Sequence, residues 1–240
     1  MKTLFLLWLL FFTTATFGLE LDEIWTLDGF KDPESAVIDI KREVIYVSNV
    51  NVFGKDGNGA ISRVSFDGSS VDHYWITGVH SPTGSAIFED KLYFADFDAL
   101  VIADLESGAI LERIDAPDIE DKPVLNDVAI SEAGEVYVSG SRSRTIYQLV
   151  DGELEVWLKD ETLLEKANGL LIDGEVLIHG GQRWTTFNRK SKAIVEDALR
   201  PGDELFDFDG IMFDQAGGYI VTTIDDPRLW RITRDGSFPV

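Results

Sequence analysis

The sequence predicts an all-β protein built from repeated units of about 40 residues. Short stretches rich in Val, Ile, Tyr, Phe and Trp dominate the chain, and they alternate apolar with polar residues as half-buried strands do. Asp-Gly and Ser-Gly pairs separate many of these stretches at short intervals, which is typical of antiparallel hairpins. Helical periodicity is nearly absent, and only the stretch from Asp160 to Lys166 could form a helical turn.

One unit recurs five times along the chain. In its clearest copy, a strand that begins at Asn126-Asp127 is followed by a turn at Gly134 and by a second strand at residues 136–139. The residues that open the five units stand at positions 34, 83, 126, 168 and 209, so the successive spacings are 49, 43, 42 and 41 residues. A period of this length with four strands per unit is typical of a β-propeller. A β-sandwich with coincidental spacing is the alternative, and it does not explain the shared turn placement.

The repeats predict a six-bladed propeller with five blades evident and the sixth incomplete at the C-terminus. The segment from Ile24 to Leu27 precedes the first unit and has no hairpin partner ahead of it, so it is predicted to be an outer strand that completes the last blade. A sixth opening residue would fall near position 250, beyond Val240. Either the sequence is a fragment or the ring closes irregularly.

The N-terminal segment has the pattern of a secretory signal peptide. Lys2 precedes an apolar run from Leu4 to Phe12, and small residues follow up to Gly18. We therefore predict a signal peptide over residues 1–18, a single propeller domain over residues 19–240 and a periplasmic or secreted location. An uncleaved membrane anchor is the alternative for the first segment. No other apolar run is long enough to span a membrane, so no stable span is expected after cleavage.

Composition excludes several classes of function. The formal net charge is −22, which disfavours nucleic acid and anionic lipid as partners because both require a basic surface. The chain has no cysteine, so thiolate metal sites and iron–sulfur clusters are excluded. The acidic charge either serves solubility or favours cations, and charge alone does not separate the two.

The opening residues of the repeats form a candidate metal site. Equivalent positions of successive blades surround the central channel, so Glu34, Asn126, Asn168 and Asp209 should converge there although they lie far apart in the sequence. Glu34, Asn168 and Asp209 offer two carboxylates and an amide, the all-oxygen set that a hard cation such as Ca²⁺ prefers. Taken singly, Asn168-Gly169 and Asp209-Gly210 could equally be ordinary turns.

At these residues the sequence resembles the senescence marker protein/gluconolactonase family, which is also called the regucalcin-like family. The resemblance runs from about residue 30 onwards and rests on four blade-entry motifs: Pro33-Glu34-Ser35-Ala36, Leu125-Asn126-Asp127, Ala167-Asn168-Gly169-Leu170 and Phe208-Asp209-Gly210. The stretch from Gly57 to Arg63 is closer to an exported, poorly characterised branch of that family.

The resemblance implies a fold and a set of roles. It implies a six-bladed propeller that holds one Ca²⁺, or another divalent cation such as Mg²⁺, Mn²⁺ or Zn²⁺, and that hydrolyses lactones as small-molecule substrates. It assigns Glu34, Asn168 and Asp209 as metal ligands, Asn126 and Asp127 as substrate contacts, and Asp209 as the general base. Lactonase members often have an arginine two residues before the substrate-contacting Asn, and Val124 stands at that position here.

Two functions remain open from the sequence. The first is a Ca²⁺-dependent hydrolase of lactones or related esters, and the second is a non-catalytic propeller that binds a ligand or acts as a scaffold with a structural ion. The three histidines, His73, His80 and His179, are scattered, and no Ser/His/Asp arrangement is visible, so we assign them to surface or loop positions.

Overall fold

The computed structural model describes residues 23–117, 123–198, 207–214, 217–233 and 236–239. Within these residues, twenty strands form five antiparallel sheets, and each sheet consists of four strands that are consecutive in the sequence. The arrangement is an all-β propeller with five blades. None of the described residues belongs to a helix that is long and apolar enough to cross a membrane. The predicted signal peptide at residues 1–18 lies outside the described residues.

The strands are numbered in chain order, and the first of each blade is the innermost. The first blade contains β1 (Pro33–Asp39), β2 (Val44–Asn49), β3 (Gly59–Ser65) and β4 (Val71–Val79). The second contains β5 (Pro82–Phe88), β6 (Lys91–Asp96), β7 (Ala99–Asp104) and β8 (Ile110–Asp115). The third contains β9 (Leu125–Ile130), β10 (Val136–Gly140), β11 (Thr145–Val150) and β12 (Glu153–Lys159). The fourth contains β13 (Leu170–Asp173), β14 (Val176–His179), β15 (Trp184–Asn188) and β16 (Ile194–Ala198), and the fifth contains β17 (Phe208–Asp214), β18 (Gly218–Thr223), β19 (Trp230–Thr233) and β20 (Gly236–Pro239).

The hydrophobic core lies between successive blades. Tyr46 and Ile61 of the first blade pack with Phe94 of the second, and comparable clusters join the second blade to the third, the third to the fourth and the fourth to the fifth. Alternate residues of each strand therefore face opposite neighbours, which explains why the inner strands are apolar on both faces. Among the described residues, no buried cluster joins the fifth blade to the first.

The prediction of a six-bladed ring with an incomplete last blade is wrong. Each of the five sheets is complete, and β20 pairs with β19 to give the fifth blade its own outer strand. The segment from Ile24 to Leu27 was predicted to be the outer strand of the last blade, but β20 occupies that position, and the segment forms no strand. Instead, the Trp25 indole N–H donates to the carbonyl oxygen of Phe66 at 3.2 Å, which attaches the segment to the first blade.

The stretch from Asp160 to Lys166 forms the single hydrogen-bonded turn that the sequence predicts. Oδ1 of Asp160 accepts hydrogen bonds from the backbone N–H groups of Thr162 at 2.9 Å and Leu163 at 2.8 Å, as a capping aspartate does. The N–H of Leu164 donates to the carbonyl of Asp160 at 3.2 Å. The Leu164 side chain is fully buried between the third and fourth blades, so packing fixes the turn.

His179 is buried in the core, and its predicted surface or loop position is wrong. It ends β14, a strand covered on both faces, and its side chain has no exposed area. Neither ring nitrogen has a hydrogen-bond partner, and Oγ1 of Thr185, its neighbour on β15, is also buried without one. Burial lowers the pKa of His179 from 6.5 to about 3, because the apolar surroundings disfavour the imidazolium.

His179 should make the protein less stable in acid. The pKa of His179 is lower in the folded state than in the unfolded state, so its contribution is fully present above pH 6.5 and is lost as the pH falls towards 3. The expected slope is about 1.4 kcal/mol per pH unit in that window. Urea unfolding of the protein and of His179→Leu between pH 7 and 4 measures it. The variant should lose less stability on acidification, and parallel curves would contradict the assignment.

Candidate functional site

The residues that the sequence places at the channel do meet at one cavity. Its volume is about 300 Å³, and the carboxylates and amides of its lining are Glu34, Asn126, Asp127, Asn168 and Asp209, from four blades, with the hydroxyl residues Ser35 and Thr222 beside them. The second blade contributes Gly84. The convergence of these residues is therefore confirmed, whereas their predicted roles as ligands, substrate contacts and base stay predictions.

A β-bulge brings these side chains to the channel. The register of the inner strand shifts between Pro33 and Ser35 in β1, between Leu125 and Val128 in β9, and between Phe208 and Ile211 in β17. Glu34, Asn126-Asp127 and Asp209-Gly210 are thus the bulged residues. An extra residue in a strand bends it and re-aims its side chain, which is a common device beside functional sites.

Hydroxyl groups on the second strand satisfy backbone groups that the bulges leave outside the ladder. The N–H of Asp127 donates to Oγ of Ser139 at 2.9 Å, and the N–H of Gly210 donates to Oγ1 of Thr222 at 2.8 Å. The N–H of Asp127 is partly buried and would be costly without a partner, whereas that of Gly210 is exposed, so the Ser139 hydroxyl gives the bulge its stronger support. The fourth blade differs: Asn168 precedes β13, and its N–H donates to the carbonyl of Gly180 at 3.0 Å.

Hydrogen bonds connect the inner strands of successive blades. Oγ of Ser35 donates to the carbonyl of Thr83 at 2.8 Å, and Oγ1 of Thr83 donates to the carbonyl of Asn126 at 2.7 Å. Oδ2 of Asp127 then accepts the N–H of Leu170 at 2.7 Å, while its Oδ1 accepts the N–H of Val128 at 2.8 Å. The Asn168 side chain interacts with the Asp209 carboxylate and lowers its pKa, which extends the series to the fifth blade. Asp127 therefore supports the link between the third and fourth blades as well as lining the cavity.

Two glycines give the channel residues their space. A Cβ on Gly84 would lie 2.1 Å from Oδ1 of Asp127, and a Cβ on Gly169 would lie 1.9 Å from the backbone oxygen of Asp209. Both distances are far below van der Waals contact. Only a residue without a side chain allows the neighbouring inner strands to approach this closely.

Gly169→Ala is expected to destabilise the protein by roughly 1–3 kcal/mol, the range for overpacking a site that cannot relax freely. The clash is with the Asp209 backbone rather than with a flexible side chain, so the channel end of β17 must shift. Chemical denaturation measures the effect. Gly54→Ala is the matched control, because a Cβ at Gly54 meets no atom within 4 Å. Equal stabilities of the two variants would contradict this view of the packing.

The carboxylates of the cavity lack basic partners. None of the described residues that line it is Lys or Arg. Glu34 is exposed to solvent in the cavity, but the protein atoms crowded around the channel, then the nearby Asp209 and Asp127, raise its pKa to about 8. Burial raises the pKa of Asp127 to about 7, although the two backbone N–H groups that donate to its carboxylate lower it in part. Burial also raises the pKa of Asp209, and the interaction with Asn168 offsets part of that rise. A cation would stabilise the charged forms of all three groups.

The donor set fits an oxygen-preferring cation only if the amide takes part. Within the described residues, no three Asp, Glu or His side chains lie close enough together to hold an ion by themselves. A site here must therefore combine the carboxylates of Glu34 and Asp209 with the amide of Asn168, leaving the remaining positions to water or substrate. No cavity-lining residue is a histidine, so a histidine-based zinc or copper site does not fit.

The sequence did not identify the apolar part of the cavity. Residues from the fifth blade form it: Ile211, Met212, Ile220, Val221 and Leu229. Their apolar character is the ordinary signal of strands, and nothing in the sequence distinguishes a strand face that lines a cavity from one that packs against a neighbour. Asp207, in contrast, lies outside the lining and forms an ion pair with Lys166 at 2.5 Å.

Comparison with solved structures identifies the fold. The chain is similar to a catalytically inactive variant of virginiamycin B lyase from Staphylococcus aureus with quinupristin, at a TM-score of 0.67 and 12% identity over 88% of this chain and 70% of that one. It is also similar to selenomethionine-substituted virginiamycin B lyase from the same organism, at a TM-score of 0.61 and 14% identity over 87% and 69% of the two chains. The chain has the β-propeller fold. A computationally designed protein, Ika8, matches at a TM-score of 0.54 and 11% identity over 83% and 58% of the chains.

These likenesses establish the fold alone, because the identities are low. No family model matches the chain, and no curated protein matches it. The propeller agrees with the general architecture of the regucalcin-like family, but the match does not establish that family.

Proposed function

We propose that the protein is a divalent-cation-dependent hydrolase of lactones or related esters, with Ca²⁺ as the expected ion. One observation carries the proposal: three carboxylates and two amides from four blades line one cavity that has no basic residue in its described lining. The blade-entry motifs that contribute these groups resemble those of the senescence marker protein/gluconolactonase family. Both lines of support concern the same residues.

Glu34, Asn168 and Asp209 would hold the ion. Each offers a side-chain oxygen, and Ca²⁺ accepts six to eight oxygen ligands in a flexible geometry. When bound, a divalent cation polarises the substrate carbonyl and stabilises the negative charge that develops on its oxygen. Asn168 is held in place by its backbone hydrogen bond to Gly180 and by its contact with Asp209, so its amide is preorganised.

Asp209 is the proposed general base. Its carboxylate lies beside the cavity and takes a proton from a water molecule as the water oxygen attacks the carbonyl carbon. The bond between the carbonyl carbon and the ring oxygen then breaks, and the proton passes to the leaving alkoxide. Asn126 and Asp127 are the proposed substrate contacts, with Asp127 oriented by the N–H groups that it accepts.

A non-catalytic propeller with a structural ion is the second candidate. The observation that favours it is the hydrogen-bonded series around the channel, in which Asp127 and the Asn168–Asp209 pair already join neighbouring blades. Polar residues that hold blades together have a sufficient structural purpose. An ion between them would then stabilise the ring and need no open coordination position.

A metal-dependent activity screen separates the two candidates. The protein is freed of metal with a chelator and tested against a panel of lactones and esters, with and without added Ca²⁺. Hydrolysis that requires the ion and disappears again with chelator supports the hydrolase. Ca²⁺ binding without turnover of any member of the panel supports the structural role instead.

A further inference from the structure

The cavity has two chemically different sides. The carboxylates and amides already described, with Asp209 of the fifth blade among them, form one part of the lining, and apolar residues of the fifth blade form another: Ile211, Met212, Ile220, Val221 and Leu229. A cavity in which a few polar groups stand opposite an apolar wall is typical of sites for small molecules. The polar side would orient a reacting group, and the apolar side would take up the rest of the molecule.

Met212 presents apolar surface that the protein itself does not bury, and the buried Ile220 lies beside it. They are directly opposite each other on β17 and β18, so their side chains lie on one face of the sheet. The alternate residues Ile211 and Val221 belong to the cluster with the fourth blade, whereas Met212 and Ile220 do not. Met212 is 58% exposed, although Ile220 beside it is 8% exposed.

Sugar recognition has little support in this lining. A polyhydroxylated ring would leave several hydroxyl groups against Met212, Ile220 and Leu229, where they would lack partners. An alkyl chain would suit that wall.

We infer that the substrate is a lactone or ester that bears an apolar chain, with its carbonyl at the acidic side and its chain along Met212 and Ile220. This inference rests on the proposed hydrolase function. Each methylene that becomes fully buried strengthens binding roughly fourfold. The specificity constant should therefore rise with chain length until the apolar wall is covered.

A series of γ-lactones tests the inference with the full-length protein and Ca²⁺. We expect kcat/KM to increase from γ-butyrolactone through γ-octalactone to γ-dodecalactone by at least tenfold overall, and glucono-δ-lactone to be a poor substrate. Met212→Gln should reduce the ratio of long-chain to short-chain kcat/KM several-fold. Leu111→Gln is the matched control, since Leu111 is an apolar residue 50% exposed on β8, outside the cavity lining, and it should leave the ratio unchanged.

The outcomes distinguish this inference from the proposed function. Hydrolysis without dependence on chain length, or a preference for glucono-δ-lactone, would overturn the inference and retain the hydrolase. Absence of hydrolysis throughout would overturn the hydrolase. In that case calorimetry with the corresponding γ-lactams, which resist hydrolysis, still decides the inference: tighter binding of the long-chain lactam supports it, and equal or absent binding overturns it.

Discussion

Asp209→Asn is expected to reduce kcat by roughly 10²–10⁴-fold, the usual contribution of a general base. Asparagine keeps an oxygen that can face the ion but cannot accept a proton from water, so part of the Ca²⁺ affinity should survive. Asp209 is suited to this role because it lies in the bulge of β17 beside Gly210, at the cavity, with its carboxylate oriented by Asn168. Steady-state kinetics on a responsive lactone, measured together with Ca²⁺ affinity, tests the assignment.

Asp207→Asn is the control for this prediction. Asp207 is two residues away, but its carboxylate pairs with Lys166 and does not line the cavity. The variant should lose an ion pair and keep most of its activity. Retained activity in Asp209→Asn, or equal losses in both variants, would refute the assignment of Asp209 as the base.

Ca²⁺ is expected to stabilise the folded protein by about 2.7 kcal/mol at a free concentration of 100 Kd, because it binds the folded state alone. Glu34→Gln should abolish most of this gain, since the substitution removes one of two carboxylates from a site that has few charged ligands. Asn168→Ala should also reduce it, through loss of the amide oxygen. Thermal unfolding with and without Ca²⁺ measures the shift in Tm.

Glu153→Gln is the control for Glu34→Gln, because it removes the same charge from a position outside the cavity. Glu153 is exposed on β12, outside the cavity lining, so its removal should leave the Ca²⁺-dependent shift intact. A similar loss of the shift in Glu153→Gln and Glu34→Gln would mean that Ca²⁺ acts through the general negative charge of the chain. A shift that survives in Glu34→Gln would contradict the site at the channel.

The sequence could predict the blades and the convergence of Glu34, Asn126, Asn168 and Asp209, because both follow from periodicity. A repeat of nearly constant length fixes equivalent positions, and rotation about one axis brings those positions together. The prediction needed no knowledge of side-chain conformation.

Features that depend on non-local pairing could not be predicted. Ile24 to Leu27 has the composition of a strand, but the edge it was expected to pair with is taken by β20. His179 has the residue type of a surface position, but its strand is covered on both faces. In each case the three-dimensional neighbours decide the outcome, and local sequence does not encode them.

In the site, too, periodicity predicts which residues come together, and non-local pairing decides their contacts. Periodicity located Asn126 at the channel, but the carboxylate of the next residue, Asp127, accepts the N–H of Leu170 from another blade, a contact 43 residues away in the sequence. The β-bulges that re-aim Glu34 and Asp209 depend on pairing register, which is a property of two strands. The apolar wall around Met212 and Ile220 likewise appears only when the sheet faces are known.

Isothermal titration calorimetry of the metal-free protein with Ca²⁺ tests the central claim, a cation site at the channel, most directly. We predict one equivalent of bound Ca²⁺, with affinity strongly reduced in Glu34→Gln and unchanged in Glu153→Gln. Absence of binding by Ca²⁺, Mg²⁺, Mn²⁺ and Zn²⁺, or binding that is the same in both variants, would contradict it.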